Sequence, residues 1–153
     1  MLRAAKRFGL VDRVTPAGVT RDRRATWASA DEAYAHFRNK RAFRDFDPEC
    51  LRDYVTLGMR PSPEGVRLAF DPSIEYRIYR AFPHGIAENL PGLRVPAGFL
   101  FGRESGDARH MGLATTRKYF RVARVEGGHL FPFEHPLAAA RAIREMAEAL
   151  AAR

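Results

Sequence analysis

Val125-Glu126-Gly127-Gly128-His129-Leu130-Phe131-Pro132-Phe133-Glu134-His135-Pro136 is the stretch from which the fold of this chain is read. An alternating apolar run precedes it, with Tyr119, Phe120, Val122 and Val125, and a helix-patterned tail follows. The stretch is therefore expected to be a loop at the C-terminal end of a strand, the place where ligand groups collect in open α/β sheets. Gly127 and Gly128 permit a tight turn with positive φ and the close approach of another backbone. His129 would then stand at the strand tip, with Phe131, Pro132 and Phe133 walling it from water. Imidazole is the side chain that ordinarily gains and loses a proton near neutral pH, so a histidine placed there can serve as a proton carrier. The bland alternative is a satisfied loop histidine without chemistry. His135, directly before Pro136, reads as a surface residue.

With those residues in view, G-G-H-L-F-P-F-E-H-P followed by an Ala-rich amphipathic helix resembles the end of an α/β-hydrolase, where G-H-x-x-x-x-E-x-P carries the catalytic histidine. The resemblance implies that His129 is the base activating a serine or aspartate nucleophile, or the water that attacks its ester. Three earlier segments, R-R-A-T-W-A-S-A-D-E-A from Arg23, F-D-P-E-C-L-R-D-Y-V-T-L-G from Phe46 and F-D-P-S-I-E-Y from Phe70, resemble caps of bacterial hydrolases in this superfamily. A complete enzyme of that kind needs a nucleophile elbow, G-x-S-x-G, on a turn between strand and helix, plus backbone donors for the oxyanion. The sequence contains no G-x-S-x-G; Ser105 in Gly102-Arg103-Glu104-Ser105-Gly106 lacks a glycine two residues away on either side. In the family the acid commonly falls three residues after the glycine ending the penultimate strand, which here is Ser105. Glu104 and Asp107 flank that position, and either carboxylate could orient the imidazole and stabilise its charged form. Some relatives take the acid from the strand before the cap instead. The plain alternative for both residues is an ordinary loop carboxylate, with Asp107 capping the next helix.

Composition bounds the remaining classes. A chain of 153 residues that is 46% apolar has the size and core of an ordinary domain. The formal net charge of +8 and a pI near 10.4 invite a nucleic-acid reading. The basic residues, nearly all Arg, are however interleaved with Asp and Glu through residues 20 to 80, as on solvated helix faces, so nucleic acid is not expected as a partner. Cys50 stands alone, which excludes an internal disulfide and gives no metal cluster, and neither a metal nor a cofactor is expected. No apolar run approaches the roughly 20 residues that span a bilayer, and Met1-Leu2-Arg3-Ala4-Ala5-Lys6-Arg7 lacks a signal-peptide core. The expectation is a cytoplasmic protein with no membrane partner.

Along the chain, residues 1 to 14 suggest one irregular helix and about Val19 to Trp27 a second, basic one. Ser29 and Glu32 match a capping box for a helix carrying Ala33, Tyr34 and Phe37 and stopping near Arg41. Asp47-Pro48 and Asp71-Pro72 are further helix starts, the latter for a face of Ile74, Ile78, Tyr79 and Phe82. Residues 60 to 65 read as a turn and 66 to 70 as one short strand. The aromatic residues from Phe37 to Phe82 mostly sit at helical spacing and read as core, with some left to line a pocket for an apolar substrate. Residues 93 to 102 and 119 to 125 read as buried strands joined by a helix near 108 to 118, hence a parallel pair with a crossover. A last helix, 136 to 152, would bury Leu137, Ala140, Ile143, Ala147 and Leu150. The fold class is thus α/β: a partial α/β-hydrolase fold, with residues 1–92 a helical cap and residues 93–153 the C-terminal part of the core.

Two functional classes follow. One is the C-terminal part of a hydrolase that cleaves an ester or similar acyl bond by a nucleophile, His129 and an acid. It is inactive alone, takes a small apolar ester-like substrate once completed, and has an upstream N-terminal hydrolase chain as the partner that completes it. The other is a non-catalytic module that binds a ligand or a partner chain and retains the architecture.

Overall fold

A computed structural model describes residues 2–83, 86–106 and 113–152. The chain divides into two units, one made of residues 1–36 and 53–88, the other of residues 37–52 and 89–153.

The first unit begins with α1 (Leu2–Arg7) and α2 (Val11–Val14) where a single helix was expected. Gly9, at φ 68, ends the first turn in the left-handed region that only glycine enters freely, and Leu10 N–H donates back to Ala5 O at 2.8 Å. The expected helix from Val19 to Trp27 does not form. Instead α3 spans Ala17–Thr20, and Thr26–Trp27 is β1, a strand. Trp27 is only 1% exposed, and a β-branched residue followed by a large aromatic gains more by pairing with another strand than by extending a basic helix. That partner is β3 (Gly65–Leu68), which also pairs antiparallel with β2 (Met59–Ser62), giving the order β1-β3-β2. The stretch read as a turn at residues 60 to 65 is thus mostly strand, and Pro61 is accommodated because β2 lies at the sheet edge.

Between them run α4 (Ala30–Arg38) and α5 (Pro48–Leu57), each of which continues from one unit into the other. Ser29 Oγ accepts from Glu32 N–H at 3.1 Å as expected. The Glu32 carboxylate accepts from Ala28 N–H at 2.8 Å, one residue earlier than a standard capping box, and binds Arg24. Asp47 caps α5 by accepting from Glu49 N–H at 2.8 Å, and Asp71 caps α6 (Pro72–Ala81) by accepting from Ser73 N–H at 2.8 Å. The apolar face expected on α6 is not buried, since Ile74, Ile78 and Phe82 are all at least 40% exposed. This helix is held by polar groups: Tyr76 bonds Asp12 and Arg21, Arg80 reaches both Asp12 and Tyr76, and Glu75 pairs with Arg23 at 2.9 Å.

A short α7 (Ile86–Asn89) and a 3₁₀ turn (Leu90–Gly92) lead into the second unit. There β4 (Gly98–Gly102) and β5 (Arg121–Val125) are parallel, in register from Gly98 opposite Arg121 to Gly102 opposite Val125. The first of these strands starts later than expected, leaving Leu93 and Val95 exposed. Between them lies α8 (Leu113–Tyr119); its expected start near Ala108 lies outside the described residues. After a one-turn helix, α9 (Phe131–Glu134), comes α10 (Pro136–Ala151). The core joins Val125, Phe131 and Ala139, with Leu100, Ala138 and Ala142 packed on it. The buried side of α10 is Ala139 and Met146, while Leu137 and Ile143 are 79% and 54% exposed, a correction to the expected face. An alanine-rich helix carries apolar residues on several sides, so spacing alone selects no single one. Among the described residues, no helix is long and apolar enough to cross a membrane.

Candidate active site

The site is built where the two parallel strands end. The ladder does not stop with the strands: Arg103 N–H donates to Val125 O at 2.8 Å and Glu104 N–H to Gly127 O at 3.0 Å. These bonds fasten the loop after β4 to the loop that carries His129. Their fit depends on Gly102, where a β-carbon would collide with the carbonyl oxygens of Gly127 and Gly128. Of the glycine pair itself, only Gly127 has positive φ, at 103.

Behind the loop, Glu134 turns its carboxylate back to accept from Gly128 N–H at 2.5 Å. A carboxylate bonded to a loop N–H is a strong hydrogen bond and fixes the backbone beside His129. Two of the three residues expected to wall the histidine do something else. Phe131 is buried with Val125 and Ala139. Phe133 stacks on Phe46, centroids 5.0 Å apart and planes within 6°, while Asp47 N–H donates to Phe133 O at 2.8 Å. His129 is consequently exposed, because the aromatic rings are spent on anchoring α9. His135 is half-buried rather than on the surface, with its ring edge against Gly127.

An open cavity of about 510 Å³ lies here. Glu104, Ser105 and His129 line it from the two strand-end loops, Glu134 from α9, and Arg41 and Arg44 from the segment between α4 and α5. Glu104 and His129, singled out from the sequence, thus meet at one cavity. Asp107 lies outside the described residues. Ser105 shares the cavity; its N–H closes a turn onto Gly102 O at 3.1 Å, and it lacks the flanking glycines of a nucleophile elbow. Among the described residues, no group of three or more His, Cys, Asp or Glu could hold a metal ion.

Such an arrangement presents an imidazole that can take up or release a proton on a substrate group entering the cavity. Sequence reasoning missed Arg41 and Arg44, which belong to no motif. Their only signal was the spacing of Phe37, Phe43 and Phe46 around them. Glu134 stood inside the quoted motif but had been given no role.

Parallel strands, crossover helix, histidine loop and closing helix define a partial α/β-hydrolase fold. Solved structures share it. The chain matches the crystal structure of E-2-(acetamidomethylene)succinate hydrolase with a TM-score of 0.76 at 15% identity, over 90% of this chain and 52% of that one. It matches the thioesterase domain from the curacin biosynthetic pathway with a TM-score of 0.65 at 20% identity, over 80% and 46%. An M. tuberculosis esterase gives a TM-score of 0.65 at 18% identity, over 97% and 51%. The chain therefore spans about half the length of these structures, and at such identities the likeness is one of fold. No protein-family model and no curated protein sequence matches the chain.

Proposed function

We propose that this chain is the C-terminal part of a cytoplasmic hydrolase that cleaves an ester or similar acyl bond, with His129 as its general base. The observation that carries the reading is the place of His129: beyond the tip of β5 in a partial α/β-hydrolase fold, on a cavity shared with Glu104. In the completed enzyme the imidazole takes the proton of the attacking hydroxyl or water and returns one to the leaving group. Glu104 or Asp107 holds the ring and stabilises its charged form. Residues 1–92 supply the cap. The nucleophile and the oxyanion donors come from an upstream N-terminal chain. Its strands also cover the outer edge of β4, which would otherwise present unpaired backbone groups.

A general base alone contributes about two to four powers of ten, far below a working hydrolase. Purified chain is therefore expected to give no burst of product with p-nitrophenyl acetate and no labelling by a serine-directed phosphonate. Stoichiometric labelling of any serine would overturn this. The DNA upstream of Met1 supplies the second test. A reading frame with several strands and G-x-S-x-G supports the proposal, and coexpression with that product should restore cleavage that His129→Ala abolishes. A frame without them turns the reading toward a non-catalytic module.

A further inference from the structure

Resting on the hydrolase reading of this cavity, we infer that its substrate carries a free carboxylate and that Arg41 receives it. Residues 37 to 46 form successive turns, Lys40 N–H to Phe37 O at 2.8 Å, Phe43 to Lys40 at 2.9 Å and Phe46 to Phe43 at 3.1 Å. Their side chains are sorted by these turns. Phe37, Phe43 and Phe46 pack ring against ring, at 4.9 and 5.0 Å, and Phe46 continues the stack onto Phe133 of α9. Arg38 adds a bond to Phe46 O at 3.1 Å. The aromatic side of the segment thereby fixes its polar side, with Arg41, Arg44 and Asp45, at the cavity that holds His129. Among the described residues no Phe, Tyr or Trp lines that cavity, and five of its side chains, Arg41, Arg44, Asp45, Glu104 and Glu134, are charged.

The charges are not interchangeable. Arg44 is engaged by Asp45 at 3.2 Å. Glu134 is engaged by the Gly128 N–H, and Glu104 is a candidate partner of the imidazole. Arg41 makes no ion pair with any described residue. A guanidinium offers two parallel N–H donors that match the two oxygens of one carboxylate. Three carboxylates around the same space, Asp45, Glu104 and Glu134, repel a doubly charged phosphate about twice as strongly as a singly charged carboxylate, so the carboxylate is the better match to a single guanidinium.

The test uses the purified chain and two probes of one skeleton, monomethyl glutarate and the neutral dimethyl glutarate, titrated by NMR on the Arg41 Nε and His129 ring signals. At low salt the monoester is expected to bind at least about ten-fold more tightly than the diester, a margin that shrinks as salt screens it. Arg41→Gln should remove that margin, while Arg94→Gln, an exposed site elsewhere in the same unit with the same change in net charge, should keep it. Equal binding of the two probes, equal losses in the two variants, or tighter binding of inorganic phosphate overturns the inference. Because binding is read without turnover, failure of the hydrolase reading shows separately, as full activity of His129→Ala in the completed enzyme.

Discussion

In the β1–β3–β2 sheet the residues that meet the core are large: Trp27 at 1% exposure, with the paired Met59 and Leu68 also buried. At the decisive contacts of the β4–β5 pair the residues are glycines. Gly98 leaves room for Met146 of α10, and Gly102 leaves room for the carbonyls of the histidine loop. A side-chain core resists change by its volume and loses stability when a cavity opens. A backbone contact resists change by having no volume to give, and loses its fit when even a methyl group is added. The second kind suits a site, because two loops that touch through main-chain atoms are placed to within a hydrogen-bond length.

The comparison can be broken most directly at Trp27. Trp27→Ala should cost about 3–5 kcal/mol, read as a lower urea midpoint by circular dichroism, with hydrogen-exchange protection lost in β3. A cost below about 1 kcal/mol would show that this sheet is not organised around the indole. Gly102→Ala should cost about 1–3 kcal/mol by overpacking and should move the His129 ring signals. Gly92→Ala, where a β-carbon meets nothing within 4 Å, should stay within about 0.5 kcal/mol. Equal effects of the two substitutions would remove the backbone-contact argument.

The smallest effect is expected from acid. In the first unit Glu32 is held below the ordinary carboxylate range, first by the Ala28 N–H and then by Arg24, and Asp71 by the Ser73 N–H. A carboxyl whose folded pKa is depressed adds stability above its unfolded value, about 4. That contribution is lost as pH falls through the folded value. Urea midpoints should therefore drop between pH 5 and pH 3, and less so in Glu32→Gln and Asp71→Asn. Variants that follow the wild-type curve would show that these caps do not contribute to the acid sensitivity.

How legible each region was follows from the range of its determinants. The Asp-Pro helix starts and the parallel pairing are specified by neighbours in sequence and form as read, although β4 and β5 begin later than expected and α9 forms within the stretch read as the histidine loop. β1 and β2 were missed because Thr26 and Met59 become strand only through a partner that local spacing does not reveal. The buried side of α10 was misjudged because alanines made several faces equally apolar. Glu104 and His129 could be nominated from the strand ends that precede them. Arg41 could not, since its place depends on a stack between Phe46 and Phe133, residues far apart in the chain.

That stack also has a consequence in time. On a ribosome adding about 5–20 residues per second, Phe46 emerges on the order of ten seconds before Phe133 exists. For that interval the Phe37–Phe43–Phe46 cluster has no ring to close it and presents a sticky aromatic surface to any other nascent chain. Yield in a cell should therefore depend on translation speed and on early chaperone capture more than on the stability of the finished protein.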